Sequence, residues 1–282
     1  MYFKRILCTA VLLWSVGCQS PTTNQNTINK YNVGIVSYGE GDRTLNKYKE
    51  FQNYLGAELS SAIEIEPTYN EIRALQQIAA KKWDIVFAPP GLAAIAISDY
   101  GYQPTIPLEG LDRSRSVIVV KNDSPYQKRQ DLAGKIMTLG QKGSATGYYL
   151  PFYNLYGVNL ADILYAPTPK DVLQWIVEDR SQAGALSLAE YNLHRRNFPP
   201  NTFRVLYLDQ HNIPPGVILV SDRIERNQEA MIITKLSSTP SFVAGSAGFL
   251  PNEPTPDYDY LIKVIRRVQQ INQQSKQTNT QN

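Results

Sequence analysis

Short strand-like runs alternate with helix-like segments along most of the chain, and this alternation constrains the fold more than any single motif. VGIVSY (33–38) is a run of strand-forming residues, and an apolar stripe at helical spacing follows it. The stripe consists of Leu45, Tyr48, Phe51, Leu55 and Leu59. The same order recurs around DIVFA (84–88), ILYA (163–166) and AGALS (183–187), and SVIVVK (116–121) is a further strand-like run. Strands that alternate with helices predict mostly parallel sheets covered by helices on both faces, which is an α/β fold.

The strand–helix units form two sets of comparable size, with no Pro/Gly/Ser-rich linker between them. We therefore predict two lobes, each a mostly parallel sheet flanked by helices. The first lobe comprises residues 31–112 and 214–273, and the second comprises residues 113–213. Short crossings near 109–116 and 209–216 connect them. Ligands in open α/β sheets bind outside the carboxyl ends of the strands, so we expect a ligand cleft between the lobes.

The N-terminal residues predict that the protein is exported. Lys4 and Arg5 precede an apolar run at 6–16. This run is too short to span a bilayer, which takes about 20 residues. A positive start followed by a short apolar run is typical of a signal peptide, here residues 1–17.

The stretch before Cys18 resembles the lipobox of bacterial lipoproteins, although Ser15 stands where that motif usually has Leu. Cys18 is therefore the predicted lipid-attachment residue, and the polar residues 18–30 are its tether to the membrane. An ordinary signal peptide cleaved near Gly17 is the alternative. At the other end, residues 274–282 are predicted to be a solvated polar tail.

Composition excludes several classes of protein. Hydrophobic residues make up 43% and charged residues 19% of the chain, as in globular proteins. The net charge falls from +3 to +1 when Lys4 and Arg5 leave with the signal peptide, and the basic residues are dispersed, so we expect no nucleic-acid partner. Removal of Cys8 leaves Cys18 alone, which excludes an internal disulfide. No metal-binding or cofactor motif is present, and we expect a monomer.

The turn GSATG (143–147) is the strongest candidate for a binding site. It follows the strand-like KIMTLG and opens a segment able to form a helix, which Pro151 should shorten or kink. Ser144 is the natural N-cap, and the N–H groups of Ala145, Thr146 and Gly147 would face a ligand. Unpaired amides at the positive end of a helix suit a tetrahedral oxyanion. The alternative is an ordinary N-cap with no ligand.

With these segments in view, the sequence resembles the phosphonate/phosphite/phosphate-binding components of bacterial ABC importers, which have the type II periplasmic binding-protein fold. The resemblance runs from about residue 31 to 222. It covers VGIVSYGEGDRTLNKYKEFQNYLGAEL, PTYNEIRALQQIAAKKWDIVFAPPG, and SRSVIVVKNDSPYQKRQDLAGK leading into GSATGYYLP. The order and spacing of these blocks carry the match.

The resemblance implies a set of ligand contacts in this chain. The family turn S-T-S-G-Y corresponds to Ser144-Ala145-Thr146-Gly147-Tyr148, which loses the middle hydroxyl and keeps its amide. A family tyrosine after the second strand is similar to Tyr69, which could donate its hydroxyl from the first lobe. Tyr38, at the carboxyl end of the first strand, is a further candidate on the same wall.

Three positions depart from the family. Leu92 stands where a second ligand tyrosine is common, Pro169 replaces a histidine, and Gln182 replaces an acid. The groups that would bind an aminoalkyl tail or fix the protonation of the ligand are therefore absent or relocated. The identity of the anion stays open between phosphonate, phosphite, phosphate and other small anions.

Several functions remain to be weighed. An enzyme is disfavoured because Ser144 is not in a G-x-S-x-G turn and neither His194 nor His211 lies in a Ser/His/acid framework. A lipoprotein sensor or adaptor of the same fold, or a vestigial cleft, stays open. We predict a solute-binding component of an ABC importer that partners a permease and an ATPase on the extracytoplasmic face of a membrane.

Overall fold

The computed structural model describes residues 30–36, 45–110 and 115–280, with side chains through residue 274. The predicted signal peptide, residues 18–29 of the predicted tether with its lipid-attachment residue Cys18, and the candidate Tyr38 lie outside the described residues, whereas Lys30, the last residue of that tether, begins the first strand.

Two five-stranded sheets organise the described residues, with the orders β2-β1-β3-β10-β4 and β7-β6-β8-β5-β9. We call the part built on the first sheet the first lobe and the part built on the other the second lobe. The strands are β1 (Lys30–Val36), β2 (Ala62–Thr68), β3 (Ile85–Ala88), β4 (Gln103–Pro107), β5 (Ser116–Lys121), β6 (Ile136–Leu139), β7 (Asp162–Tyr165), β8 (Ala183–Ser187), β9 (Phe203–Leu208) and β10 (Val217–Val220).

Helices connect these strands and cover the sheets. They are α1 (Lys49–Leu59), α2 (Glu71–Ala79), α3 (Pro90–Tyr100), α4 (Leu150–Asn154), α5 (Pro169–Val177), α6 (Leu188–His194), α7 (Arg226–Ser237), α8 (Ser241–Ala247) and α9 (Asp259–Thr280). A π-helical turn, Ala145–Tyr149, leads directly into α4. Within the described ranges, no helix has both the length and the apolar character needed to cross a membrane.

The two sheets share one topology. In each, four strands run in one direction and the strand in fourth position, β10 or β5, runs against both neighbours. Each of these strands begins where the chain has just crossed from the other lobe. The crossing delivers the chain to the carboxyl ends of the other strands, so its next strand must run in the opposite direction. The prediction of two mostly parallel, helix-flanked sheets is confirmed.

Apolar packing explains why the central strands are so rich in β-branched residues. Every residue of β3 and of β10 is buried, as expected for strands covered by helices on both faces. The last helix, α9, packs against α3 of the first lobe and against α4 of the second. Its buried residues Leu261, Val264 and Val268 therefore join one apolar cluster that continues through both lobes.

Two local features were not predicted, and one differs from the prediction. Strand β2 includes Pro67, which is tolerated because β2 is an edge strand. Helix α8 was not predicted. Helix α9 continues to Thr280, into the residues 274–282 that were predicted to be a solvated polar tail, because this Gln- and Asn-rich segment contains no Pro or Gly to stop the helix.

Candidate functional site

A cavity of about 260 Å³ lies between the lobes, at the carboxyl ends of the strands. Its wall is made mainly by the starts of helices, since helices begin where strands end in an α/β sheet. The crossing segments complete the wall. The lining residues include Tyr48, Glu71, residues 89–91, residues 108–110, residues 144–146, Ser187, Glu190 and residues 214–216.

The GSATG turn forms the second-lobe wall of this cavity. Ser144 has an extended backbone (φ −77°, ψ 123°) and accepts a hydrogen bond from the Gly147 N–H at its Oγ, 3.0 Å away. Ser144 is therefore the N-cap, as expected for a serine before a helical segment. Ser144, Ala145 and Thr146 all line the cavity.

Pro151 explains why the helical segment starts as a π turn. A proline has no N–H, so it cannot donate to the carbonyl of Gly147, four residues earlier. That carbonyl instead accepts a hydrogen bond from the Gly140 N–H at 2.9 Å, and Leu150 donates to Ala145, five residues earlier. The expectation of a short or kinked helix start at Pro151 agrees with this geometry.

Two backbone amides of the turn are available to a ligand. The N–H groups of Ala145 and Thr146 have no acceptor among the described residues. The Thr146 side chain is 9% exposed and its hydroxyl has no hydrogen-bond partner within the same part of the chain. The Gly147 N–H, which was predicted to face the ligand, is used by Ser144 instead, and Gly147 does not line this cavity.

The two lobes touch through glycine backbone on the edge of the cavity. A Cβ on Gly91, at the start of α3, would lie 2.0 Å from the carbonyl oxygen of Gly143 and 2.6 Å from the Ala145 nitrogen. Gly143 has φ +120°, and a Cβ there would lie 2.6 Å from the Cβ of Glu71. This approach is possible only without side chains, so the structure shows the lobes in contact.

Tyrosine does line the first-lobe wall, although not the tyrosine that the family resemblance suggested. Tyr69 is 48% exposed and does not line the cavity. Tyr48, at the N-cap position of α1, does line it and packs edge-on against Phe87. Burial raises the pKa of Tyr48 to about 12, so its hydroxyl remains a neutral donor at ordinary pH.

In the sequence, Tyr48 falls in the apolar stripe of a helix, so it was not predicted as a site residue. The position of Tyr48 near the start of that stripe could have indicated that it belongs to the site. The first turn of a helix that follows a strand lies at the carboxyl edge of the sheet, where ligands bind.

Three carboxylates also line the cavity, and none was predicted. Glu71 is the first residue of α2 and is buried, Glu109 lies in a crossing segment, and Glu190 lies in α6. Glu190 forms a capping box with Ser187, in which its Oε2 accepts a hydrogen bond from the Ser187 N–H at 2.8 Å. The motif S-x-x-E at 187–190 was visible in the sequence and marks a helix start at a strand end.

The three departures from the family pattern have structural roles. Leu92 is fully buried and packs beside Gly143. Pro169 is the first residue of α5 and lines a second chamber of about 20 Å³. The Oε1 of Gln182 accepts a hydrogen bond from the backbone N–H of Ile136, at the start of β6, so Gln182 does not line the cavity.

The histidines and the acids form no metal centre in the part of the chain that the structure describes. His211 lies in the second crossing segment, where its Nδ1 is 2.9 Å from the buried carboxylate of Asp209 and its ring stacks on Tyr260. His194 ends α6. Neither histidine lines the cavity.

Comparisons with solved structures show the same fold. A Pseudomonas aeruginosa protein (PA3383), described as a binding protein component of an ABC phosphonate transporter, is 14% identical, with a TM-score of 0.64 over 89% of each chain. PhnD1 from Prochlorococcus marinus, solved with methylphosphonate, is 16% identical with a TM-score of 0.65, over 86% of this chain and 98% of the other. XAC2383 from Xanthomonas citri, solved with ATP, is 19% identical with a TM-score of 0.72, over 86% and 98%.

A comparison of this chain with curated protein sequences found no match. A comparison with protein-family models found one that covers most of the chain. The model of the family described as "ABC transporter, phosphonate, periplasmic substrate-binding protein" matches residues 33–241. This family serves transport rather than catalysis and acts outside the cytoplasm. The match, together with a cleft between two lobes of the same topology, shows that the chain belongs to the periplasmic substrate-binding proteins of phosphonate ABC transporters.

Proposed function

We propose that this protein binds a phosphorus oxyanion (phosphonate, phosphite or phosphate) in the interlobe cavity and delivers it to an ABC permease. The observation that carries the proposal is the pair of N–H groups of Ala145 and Thr146, which have no acceptor among the described residues and belong to residues that line the cavity at the start of a helical segment. Their donors and the helix dipole favour negative charge. The hydroxyls of Ser144 and Thr146 add donors on the same wall.

The first lobe supplies complementary donors. Tyr48 lines the cavity, and its hydroxyl has no hydrogen-bond partner among the described residues. The N–H of Gly91 lies at the start of α3 and likewise has no acceptor in that part of the chain. Because Pro90 precedes it and has no N–H, Gly91 carries the first amide that α3 can offer. An anion between the lobes would therefore receive donors from both.

The size of the cavity favours a small ligand. Its volume of about 260 Å³ is below the roughly 300–1,000 Å³ of sites that hold drug-sized molecules. A nucleotide such as the ATP bound to the Xanthomonas protein would need the lobes to separate. Methylphosphonate, the ligand of the Prochlorococcus protein, has a size that suits this space.

In this proposal, contact between the two lobes couples ligand binding to transport. A ligand bound to second-lobe amides gains the Tyr48 and Gly91 donors only when the lobes meet, so it shifts the equilibrium toward the closed form. The closed form would dock on the permease, and the ATPase would drive release. We extend the proposal to a lipid anchor at Cys18, which would keep the protein near its transporter.

Calorimetric titration of the purified protein with a panel of anions tests this proposal. The panel is methylphosphonate, aminoethylphosphonate, phosphite, phosphate, sulfate and nitrate in a buffer free of these ions. We expect at least one phosphorus oxyanion to bind and Thr146→Ala to weaken it. Failure of every phosphorus oxyanion to bind would refute the proposal.

A further inference from the structure

The carbonyl of Thr146 has lost the partner that a regular helix would give it. In the π register of this turn, Leu150 donates to Ala145, five residues earlier. The corresponding donor for Thr146 would be residue 151, but Pro151 has no N–H. Because Thr146 is buried and a buried carbonyl without a donor costs free energy, another group must donate to it.

Ser116 supplies this donor from another part of the second lobe. Its side chain is buried, and its Oγ donates a hydrogen bond to the Thr146 carbonyl oxygen at 2.6 Å. The N–H of the same peptide unit belongs to Gly147 and donates to the Oγ of Ser144. The peptide unit between Thr146 and Gly147 is therefore held at both ends by serine side chains. This arrangement fixes the backbone beside Thr146, whose N–H and hydroxyl are two of the proposed anion donors.

Ser116 also connects the ligand turn to both crossing segments. It is the first residue of β5 and directly follows the first crossing segment. Its carbonyl accepts a hydrogen bond at 2.9 Å from the N–H of Asp209, which follows the end of β9 and begins the second crossing segment. The side chain of Ser116 thus contacts the ligand turn, while its backbone contacts the points where the chain enters and leaves the second lobe.

The Asp209 side chain completes a ring of contacts that returns to the ligand turn. It is buried, and its Oδ2 accepts a hydrogen bond from the Nδ2 of Asn154. Asn154 is the last residue of α4, into which the π-helical turn leads directly. The Oδ1 of Asp209 accepts a hydrogen bond at 2.8 Å from the N–H of His211, in the second crossing segment. Because a buried carboxylate needs its donors, it holds α4 and this crossing segment together.

We propose that Ser116 is a positioning residue, which orients Thr146 for the anion and, together with Asp209, connects the anion site to both crossing segments. This inference rests on the proposed function and specifies how its site is held and coupled to closure. A turn that is fixed before the ligand arrives loses less conformational entropy on binding, which favours affinity. The second lobe then moves as one body with its anion, and the change of angle between the lobes occurs on the first-lobe side of Ser116 and Asp209.

The test compares Ser116→Ala with Ser181→Ala as its matched control. Ser181 is also a buried serine of the second lobe, and its Oγ accepts a hydrogen bond from the Oγ1 of Thr138 at 2.7 Å. Neither Ser181 nor Thr138 lines the cavity. Each variant removes one buried hydroxyl and leaves one buried polar group without that partner, so both should lose similar stability in thermal unfolding. Calorimetric titration with methylphosphonate, phosphite and phosphate then measures the affinity of each protein.

We expect Ser116→Ala to bind about five- to tenfold more weakly than the wild type, which corresponds to the loss of one ordinary hydrogen bond. Ser181→Ala should bind as tightly as the wild type. Equal affinity in the two variants would show that Ser116 only satisfies a buried carbonyl, and this would overturn the inference alone. Binding of none of the three anions by the folded wild-type protein would overturn the proposed function.

Hydrogen–deuterium exchange adds a readout of the turn that does not depend on any ligand. In ligand-free Ser116→Ala, the amides of residues 147–150 should exchange about fivefold faster than in the wild type, because the peptide unit after Thr146 is held at one end only. Ser181→Ala should leave the exchange of this segment unchanged. Unchanged exchange at 147–150 in Ser116→Ala would overturn the positioning role.

A second variant, Asn154→Ala, opens the ring at Asp209 and leaves Ser116 in place. In the wild type, a bound anion should slow exchange at residues 209–213 as well as in the ligand turn. Asn154→Ala should lose the slowing at 209–213 while the anion still slows exchange in the turn. The same slowing at 209–213 in Asn154→Ala as in the wild type would overturn the coupling to the crossing segments.

Discussion

The two lobes have the same strand order but line the cleft with different chemistry. In each sheet the crossing strand occupies the fourth position and runs against its neighbours. The second lobe offers the Ala145 and Thr146 amides beside small side chains, together with the Glu190 side chain. The first lobe offers larger side chains, namely Tyr48 and Glu71. Topology therefore determines where a ligand can sit, while the residues that follow each strand determine what it can be.

Under the proposed function, this difference also suggests that the two lobes contact the ligand at different stages of binding. Backbone donors are held by the turn itself and need no ordering when a ligand arrives, so they suit the lobe that first captures the anion. Side chains that reach the ligand only after the lobes meet suit the lobe that closes on it. Variants in either wall can test this comparison.

Gly91→Ala should have the largest effect, because it acts on the contact between the walls. The new Cβ would meet the Gly143 carbonyl, which belongs to the backbone and cannot move aside easily. We expect closure to cost about 3 kcal/mol, at the upper end of overpacking penalties, and methylphosphonate affinity to fall accordingly. Calorimetry measures the affinity, and small-angle scattering with ligand measures closure.

Gly245→Ala is the matched control for Gly91→Ala. It is also a helical glycine of the first lobe, and the nearest atom to its new Cβ is 4.0 Å away. Its affinity should equal that of the wild type. Wild-type affinity in Gly91→Ala would show that the two walls need not meet for binding.

Thr146→Ala should have the next largest effect on affinity, since it removes a hydroxyl from the second-lobe wall of the cavity. Loss of one hydrogen bond to a charged ligand costs about 1.5–3 kcal/mol, which is a decrease in affinity of roughly 10- to 150-fold. Thr146→Ser keeps the hydroxyl and should bind nearly as well as the wild type. Equal losses in both variants would attribute the effect to the methyl group and its packing.

Tyr48→Phe should weaken binding less, by about 1.5 kcal/mol, the lower end of the range for such hydrogen bonds. The ring and its edge-on contact with Phe87 remain. Tyr69→Phe tests the competing prediction from the family resemblance and should leave affinity unchanged, since Tyr69 is half exposed and does not line the cavity. A loss of affinity in Tyr69→Phe but not in Tyr48→Phe would show that Tyr69, and not Tyr48, contacts the ligand from the first lobe.

Asn70→Ala should have the smallest effect on binding and a visible effect on stability. The Asn70 side chain caps α2 by accepting a hydrogen bond from the Arg73 N–H at 2.8 Å. Loss of such a cap costs about 1 kcal/mol in the free energy of unfolding. Calorimetric melting measures the loss, and ligand affinity should stay the same. A drop in affinity would show that Asn70 belongs to the first-lobe wall of the binding site.

The sequence was enough to predict most of the architecture. Alternating strand and helix patterns indicated two sheets of mostly parallel strands, and the buried runs at β3 and β10 were recognisable from their composition. The GSATG turn could also be recognised, because glycines, a serine cap and Pro151 act over a few neighbouring residues. The partner of the Gly147 N–H could not be predicted, because one N–H can donate either to the capping serine or to a ligand, and in the structure it donates to Ser144.

The first-lobe wall was much harder to predict. Tyr48 follows the same helical spacing as the buried Phe51 and Leu55, so nothing local marks it as a site residue. Glu71 looked like an ordinary acid at a helix start, which the helix dipole favours anyway. Their places in the site depend on the second-lobe turn at 143–146, which lies more than 70 residues further along the chain.

What the sequence determined by itself was local: which segments become strands, where most of the helices begin, and which serine caps a short turn. Backbone propensity, capping and the missing N–H of proline act within a few residues and can be read directly. Only the tertiary structure decided that Gly91 meets Gly143 and that three glutamates share a cavity with the amides. These are contacts between distant segments, set by how two packed sheets meet, and no local preference encodes them.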